Sequence, residues 1–350
     1  MTAIIKIGDK KIGANCPVFI IAEAGVNHNG KLDLALRLVD AAAKAGANAI
    51  KFQTFRAENV VTGLSKMAPY QMKNTGRKRT QLAMLEELEL KESFYKLIIK
   101  RCKSKKIMFL STPHGGRQSV NFLESIGILV YKIGSGDLNN FILLDEIAKT
   151  KKPIIISTGM SSMEEIRRTI RCLYQRGVKH IAVMHCTTEY PCRPEEVNLS
   201  VIPNMIKNFK IPIGYSDHTV DHQAAIASVA LGASLYECHL TLDKNMEGPD
   251  HIASSNPTEL LEKIKVIREV EIMLGNPNKK PTLSELKIVK LVRKSIVYTR
   301  PKKDGDIIKP NDLEAKRPGY GVPPSEYMKF IGRKIRRPVR KDEKLKISDF

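Results

Sequence analysis

Eight short apolar, β-rich runs recur along this chain, and a segment of different periodicity separates each from the next. The runs are residues 18–22, 49–52, 107–110, 129–133, 153–157, 180–185, 212–215 and 234–239. Between them, residues 32–45 (L-D-L-A-L-R-L-V-D-A-A-A-K-A), 93–103, 143–149, 163–175, 199–208 and 223–231 space apolar side chains three and four apart, the spacing of one helix face. G-A-N-A at 46–49 reads as a helix stop followed by strand entry. Strands that alternate with helices imply parallel βαβ units. Eight such units in roughly 270 residues fit a closed (β/α)8 barrel, a TIM barrel. An open doubly wound sheet is the competing architecture. It wants a Gly-rich phosphate turn after the first strand, and A-E-A-G-V-N-H-N-G at 22–30 is not G-x-G-x-x-G.

The alternation stops near Pro277, where G-N-P-N-K-K-P (275–281) breaks the pattern. Residues 1–275 are therefore expected to form a catalytic barrel, 276–294 a linker and 295–350 a small β-rich domain. In that last segment K-D-G-D-I-I-K-P-N-D-L (303–313) is echoed by K-D-E-K-L-K-I-S-D-F (341–350), two similar turn-and-strand units. A domain of about 55 residues has a thin core, so docking or dimer contacts are expected to support it.

Charge narrows the classes of partner. The 58 Lys and Arg exceed the 37 Asp and Glu, for a net charge of +21. Basic clusters at 77–79, 100–106 and 333–341 are what a nucleic-acid binder would show. Yet Trp is absent and no aromatic is interleaved with those runs as a stacking platform requires. The excess reads as solvated surface or as steering of an anionic small substrate, with no nucleic-acid partner. No apolar run approaches the roughly 20 residues of a membrane span, and no h-region with a cleavage site opens the chain. A cytoplasmic protein without a membrane partner is expected. The six cysteines are scattered without a C-x-x-C pair and read as free thiols.

In a barrel the chemistry sits at the C-terminal ends of the strands. There this sequence places Glu23; Lys51 and Gln53; Thr112; Lys132, Ser135 and Asp137; Ser157; Thr188 and Tyr190; Ser216 and His218; Glu237 and His239; and Asp250 in the last loop. Lys51 and Lys132 lie in otherwise apolar strands, where an ammonium group must meet an anion. With hydroxyls around the same mouth they suit a phosphate monoester. The alternative is that each lysine snorkels outward or merely pairs with Glu23 or Asp137. His218 and His239 end adjacent strands, and two imidazoles with water and substrate oxygen suit Mn²⁺ or a similar divalent cation. The alternative is a hydrogen-bonded histidine pair at the rim. His28, His185 and His251 are weaker candidates. A barrel lysine could also serve a Schiff-base aldolase, but a metal beside a phosphate site favours a metal-assisted addition.

These motifs in this order resemble the sialic acid synthase family. The resemblance rests on I-I-A-E-A-G-V-N-H-N-G (20–30), K-F-Q-T-F (51–55), Y-K-I-G-S-G-D (131–137), I-S-T-G-M (156–160), H-C-T-T-E-Y-P (185–191), G-Y-S-D-H-T (214–219), H-L-T-L-D-K (239–244), G-P-D-H-I-A-S (248–254) and K-R-P-G-Y-G (316–321). It implies a (β/α)8 barrel followed by an antifreeze-like, or SAF, domain. It implies condensation of phosphoenolpyruvate with an N-acylated mannosamine-type sugar, releasing phosphate. By motif, Lys51, Thr112, Lys132, Ser135, Ser157 and Ser216 match phosphoenolpyruvate-binding positions, with Thr188 beside the phosphate. His218 and His239 match ligands of a divalent metal, Mn²⁺ first and Mg²⁺ or Co²⁺ as alternatives. Glu23, Gln53, Asp137, Tyr190 and Asp250 match sugar-side or acid/base positions. Arg317 matches an arginine offered to the sugar's N-acyl group by the antifreeze-like domain of a swapped homodimer. Asp137 stands where many bacterial members have Glu, and Thr188 where some have Asn. The acceptor stays open between N-acetylmannosamine and a 2,4-diacetamido-trideoxy analogue. The rival class is a carbohydrate-binding protein with an inert barrel, against which the intact set of mouth residues argues.

Overall fold

The computed structural model describes residues 3–76 and 80–350; the basic cluster at 77–79 lies outside them. The chain forms two compact units, Met1–Gly275 and Asn276–Phe350.

The first unit opens with an antiparallel hairpin, β1 (Ile5–Ile7) and β2 (Lys10–Ile12). Eight strands follow: β3 (Phe19–Gly25), β4 (Ala49–Thr54), β5 (Met108–Pro113), β6 (Tyr131–Ile133), β7 (Ile154–Ser157), β8 (Ile181–Cys186), β9 (Ile213–Asp217) and β10 (Leu235–His239). Each is parallel to its neighbours, and β10 pairs back onto β3 to close the barrel. Every expected run is a strand, and closure excludes the open sheet. Helices Leu32–Ala45 and Met163–Gln175 match the periodicity; the latter starts in a Ser162/Glu165 capping box. Pro69–Thr75, Gln81–Leu88, Gly116–Ser125 and Pro257–Leu274 are helices that the apolar spacing did not single out. Gly116–Ser125 is mostly polar and buries only Ser119, Val120 and Leu123.

Strand side chains alternate between two destinations. Ile20, Ala22, Ile50, Phe52, Ile154 and Ile156 face outward and pack against the helix shell. Phe19, Ile21, Ala49, Leu110, Val130, Ile155 and Leu235 face inward, and Ile5, Ile7 and Ile12 of the hairpin join them to close the N-terminal end of the barrel. One inward step along each strand, the interior turns polar: Glu23, Lys51, Thr112, Lys132, Ser157 and Glu237, all buried. The same pleat that fills the base of the barrel therefore aims these groups into its mouth.

In the second unit, the stretch expected as a linker contains a helix, Leu283–Val292, started by a Thr282/Glu285 capping box. Strands β11 (Ser295–Tyr298) and β12 (Leu313–Lys316) pair antiparallel. The internal echo of the sequence has a structural counterpart. Short 3-10 turns at Pro310–Asp312 and Ile347–Asp349 each end on a fully buried aspartate. Asp312 accepts from the Lys309 N–H and Asp349 from the Lys346 N–H, at 2.9 and 2.8 Å. The core is small, built on Ile296, Tyr298, Ile308, Phe330, Ile335 and Phe350 among others. Among the described residues no helix is long and apolar enough to cross a membrane.

Candidate active site

A cavity of about 220 Å³ opens at the C-terminal ends of the barrel strands. Of the sequence-predicted residues it brings together Glu23, Lys51, Gln53, Thr112, Lys132, Ser135, Ser157, Thr188, Tyr190, Ser216, His218, His239 and Asp250. Asp137 stands behind its wall, and Arg317 is an exposed side chain of the other unit. A larger cavity, about 570 Å³, lies where Asn48, Met108 and Leu129 begin their strands. Its lining is aliphatic with lysines, at the end of the barrel where conserved chemistry is not built, so the smaller, polar one is the candidate.

Four charged groups form the floor. Lys51 Nζ lies 2.6 Å from Glu23 Oε2 and 3.9 Å from Glu237 Oε2. Lys132 Nζ lies 3.0 Å from Glu237 Oε1 and donates to Ser157 Oγ at 2.7 Å. Ser216 Oγ donates to the same Glu237 oxygen at 3.1 Å, and Lys51 donates to Thr112 Oγ1 at 3.4 Å. The two charges of each sign balance, which makes the burial tolerable. The expected pairing of Lys51 with Glu23 is present. Lys132 pairs with Glu237 and not with Asp137, because β10 closes across the barrel while Asp137 turns outward. Burial pushes the Glu237 carboxyl up, but Lys132 and Lys51 outweigh it and hold it down at about 2. Glu23 goes the other way: burial, only partly offset by Lys51 and reinforced by the Glu237 charge, raises it. Asp250 is raised to about 6 by burial and by Glu23.

His218 and His239 meet with ring centroids 5.4 Å apart, and Tyr190 stacks 4.0 Å from His218. His218 Nδ1 donates to the Thr187 carbonyl at 2.6 Å, which leaves Nε2 as the lone-pair nitrogen. His239 Nδ1 is buried with no partner. Burial, with His218 and Lys51 nearby, pushes His239 well below the ordinary imidazole range, so it is neutral, as a metal ligand must be. An oriented imidazole beside a neutral, unpartnered one fits a divalent cation. Among the described residues no cluster of three or more His, Cys, Asp or Glu could hold a metal ion, so these two would be its protein anchors. The weaker histidine candidates serve the scaffold. His185 Nε2 meets the Val197 carbonyl, His251 Nδ1 meets Thr241 Oγ1, and the Gly30 N–H donates to His28 Nδ1.

The NeuB family model matches residues 38–279, and the SAF domain model matches 293–350. The chain belongs to the NeuB family. The N,N'-diacetyllegionaminic acid synthase of Campylobacter jejuni is 43% identical to it over 93% of this chain and 97% of that protein. The enzyme of the same name from Legionella pneumophila is 41% identical over 94% and 93%. Human N-acetylneuraminate-9-phosphate synthase is 35% identical over 95% and 92%. Among solved structures, an N-acetylneuraminic acid synthetase from Leptospira borgpetersenii superposes with a TM-score of 0.73 at 33% identity, covering 82% of this chain and 95% of that one. This NeuB chain is accordingly an enzyme of the sialic acid synthase type, with a TIM barrel and a C-terminal SAF domain.

A reading of strand ends misses two cavity residues, Cys186 and His114, and finds a third, Glu237, without its role. Glu237 is visible in β10 as a polar residue, but its role as counter-ion to both lysines depends on barrel closure. Cys186 looks like one more buried thiol, yet its Sγ lies 3.9 Å from His218 Nδ1. His114 lies one residue past β5, and its place in the cavity shows only through its contact with Asp137 beyond the next strand.

Proposed function

We propose that this chain condenses phosphoenolpyruvate with an N-acylated mannosamine-type sugar, a 2,4-diacetamido-trideoxy sugar in preference to N-acetylmannosamine, to give a nonulosonate and phosphate. The observation that carries the reaction is the buried lysine–carboxylate floor ringed by hydroxyls in a NeuB-family barrel. The preference for the acceptor is supported by greater identity to two legionaminic acid synthases, 43% and 41%, than to the N-acetylneuraminate-9-phosphate synthase, 35%.

Lys51 and Lys132 take the phosphate and carboxylate of phosphoenolpyruvate, with Thr112, Ser135, Ser157, Thr188 and Ser216 as hydroxyl partners. Both lysines are engaged with carboxylates, which supports charge stabilisation over the Schiff-base alternative. Carbon 3 of phosphoenolpyruvate bonds to the open-chain sugar's aldehyde carbon as the carbonyl π bond opens, and the aldehyde oxygen takes up the proton that the added water releases. Water adds at carbon 2, and the carbon–oxygen bond to phosphate breaks as the ketone forms. A divalent cation held by His218 and His239, Mn²⁺ by preference, would supply Lewis-acid polarisation of the sugar carbonyl. Asp250, poised near 6, takes the proton from the attacking water, while Glu23 is committed to Lys51. Gln53 and Tyr190 flank the sugar. Arg317, exposed in K-R-P-G-Y-G, is assigned to the acyl carbonyl of a sugar in the partner subunit of a swapped homodimer. Mixing Arg317→Ala with His218→Ala protein under subunit exchange then restores some activity, and a dead mixture removes the sharing in trans.

Phosphate release from phosphoenolpyruvate, followed with a panel of N-acylated mannosamine-type sugars, tests the function. The 2,4-diacetamido-trideoxy sugar should give the largest kcat/KM. No release with any acceptor leaves the inert-barrel alternative standing.

A further inference from the structure

One wall of the cavity is a hydrogen-bonded relay that begins at a helix cap. Asn140 caps helix Phe141–Lys149: its side-chain oxygen accepts from the Leu143 N–H at 3.2 Å. That contact fixes the amide's orientation, so its amino group faces Asp137 and donates to Oδ1 at 2.9 Å. The other carboxylate oxygen of Asp137 lies 3.1 Å from His114 Nδ1. Burial pushes the Asp137 carboxyl up, but His114 and Asn140 outweigh it and keep it below the usual aspartate range. An ionised carboxylate only accepts hydrogen bonds, so Nδ1 carries the proton of the imidazole tautomer and Nε2 is the nitrogen that presents its lone pair. The ring lines the cavity, and among the described residues its one side-chain hydrogen bond is made through Nδ1. Gly134 holds the ring closely: a Cβ there would lie 3.1 Å from His114 Cε1.

The chemistry of the two substrates then sorts which one meets this lone pair. Phosphoenolpyruvate presents phosphate and carboxylate oxygens, which are acceptors and repel it. An N-acylated sugar presents amide N–H and hydroxyl donors. We propose that His114 Nε2 accepts a hydrogen bond from a donor group of the acceptor sugar, with Asp137 and Asn140 as positioning residues that set the tautomer. This rests on the function proposed above, and it makes His114 a specificity residue on the sugar side of the site.

The test is steady-state phosphate release with the full-length enzyme, varying each substrate against saturating amounts of the other. His114→Phe should raise the sugar KM about tenfold, the scale of one hydrogen bond, and leave the phosphoenolpyruvate KM within about twofold. His114→Gln, which keeps an acceptor oxygen, should recover most of that loss. Asp137→Asn, which can donate to Nδ1 and so turn Nε2 into a donor, should raise the sugar KM at least as much as His114→Phe. An unchanged sugar KM in His114→Phe overturns the inference. So does an equal rise in both KM values, or equal damage by Phe and Gln, since either points to a structural role. A wild-type enzyme inactive with every sugar overturns the function as well, and shows it before any variant is compared.

Discussion

The two ends of the barrel interior are made by the same strands and the same pleat, yet they obey different energetics. At the base, Phe19, Ile21, Leu110, Val130, Ile155 and Leu235 interlock with the hairpin isoleucines into a dry, apolar plug. One step further along those strands stand Glu23, Lys51, Thr112, Lys132, Ser157 and Glu237, which are buried as well. The base is stable because it excludes water from carbon. The mouth is tolerated only because each buried charge finds a partner, and that same poise lets it exchange partners with an anionic substrate. Stability and chemistry are thus separated along the barrel axis by about two residues per strand.

Four experiments would break or sharpen that contrast. The largest effect is expected at the histidine pair. His218→Ala or His239→Ala should lower turnover about 10³-fold or more, while the unfolding midpoint moves by no more than about 3 °C. Chelator should do the same to the wild type, and added Mn²⁺ should reverse it; full activity in chelator would make these histidines structural. Next comes the lysine floor. Lys132→Met strands Glu237 with a single cation and should cost about 3–5 kcal/mol of stability and 10²–10³ in kcat. Pairing it with Glu237→Met should return most of the stability and none of the activity. If denaturant unfolding of the pair shows no recovery, charge balance is not what makes the mouth tolerable.

At the base the signature reverses. Ile155→Ala, fully buried in the apolar plug, should cost about 2–5 kcal/mol, with kcat per folded molecule within about twofold of wild type. A large fall in kcat would show that the two ends are coupled. The smallest effect is pH-dependent. Asp250 is raised from the ordinary 3.8 to about 6, so the folded state binds the extra proton between those values. Stability therefore falls as pH rises from 3.8 to 6, and the penalty is complete above 6. Asp250→Asn removes it. In chelator, the variant should match the wild type below pH 4 and exceed it by about 2–3 kcal/mol at pH 8. A difference that does not vary with pH would place Asp250 in contact with solvent.

The eight strands and the helices that pack on them were legible because their signal is local. A short continuous apolar run and apolar spacing of three and four survive in any stretch of ten residues. Helices Pro69–Thr75 and Gln81–Leu88 were not legible, because they are short and cover the mouth with a few side chains such as Met84 and Leu88. The expected linker held a helix for a related reason: Leu283–Val292 buries no side chain fully, so its spacing carries little signal beside the flanking prolines.

By itself the sequence determined that Glu23, Lys51, Thr112, Lys132, Ser157 and Glu237 would face the barrel mouth, since each stands two residues past an inward apolar one and must face the same interior. It also placed His218 and His239 at the ends of neighbouring strands. Only the tertiary structure decided who pairs with whom. Glu237 lies 105 residues from Lys132 along the chain, and their contact exists because β10 returns beside β3 and closes the ring. His114 and Asp137 meet across two strands in the same way. Strand order and closure bring distant charges within 3 Å, and no local pattern encodes a distance between residues that far apart in sequence.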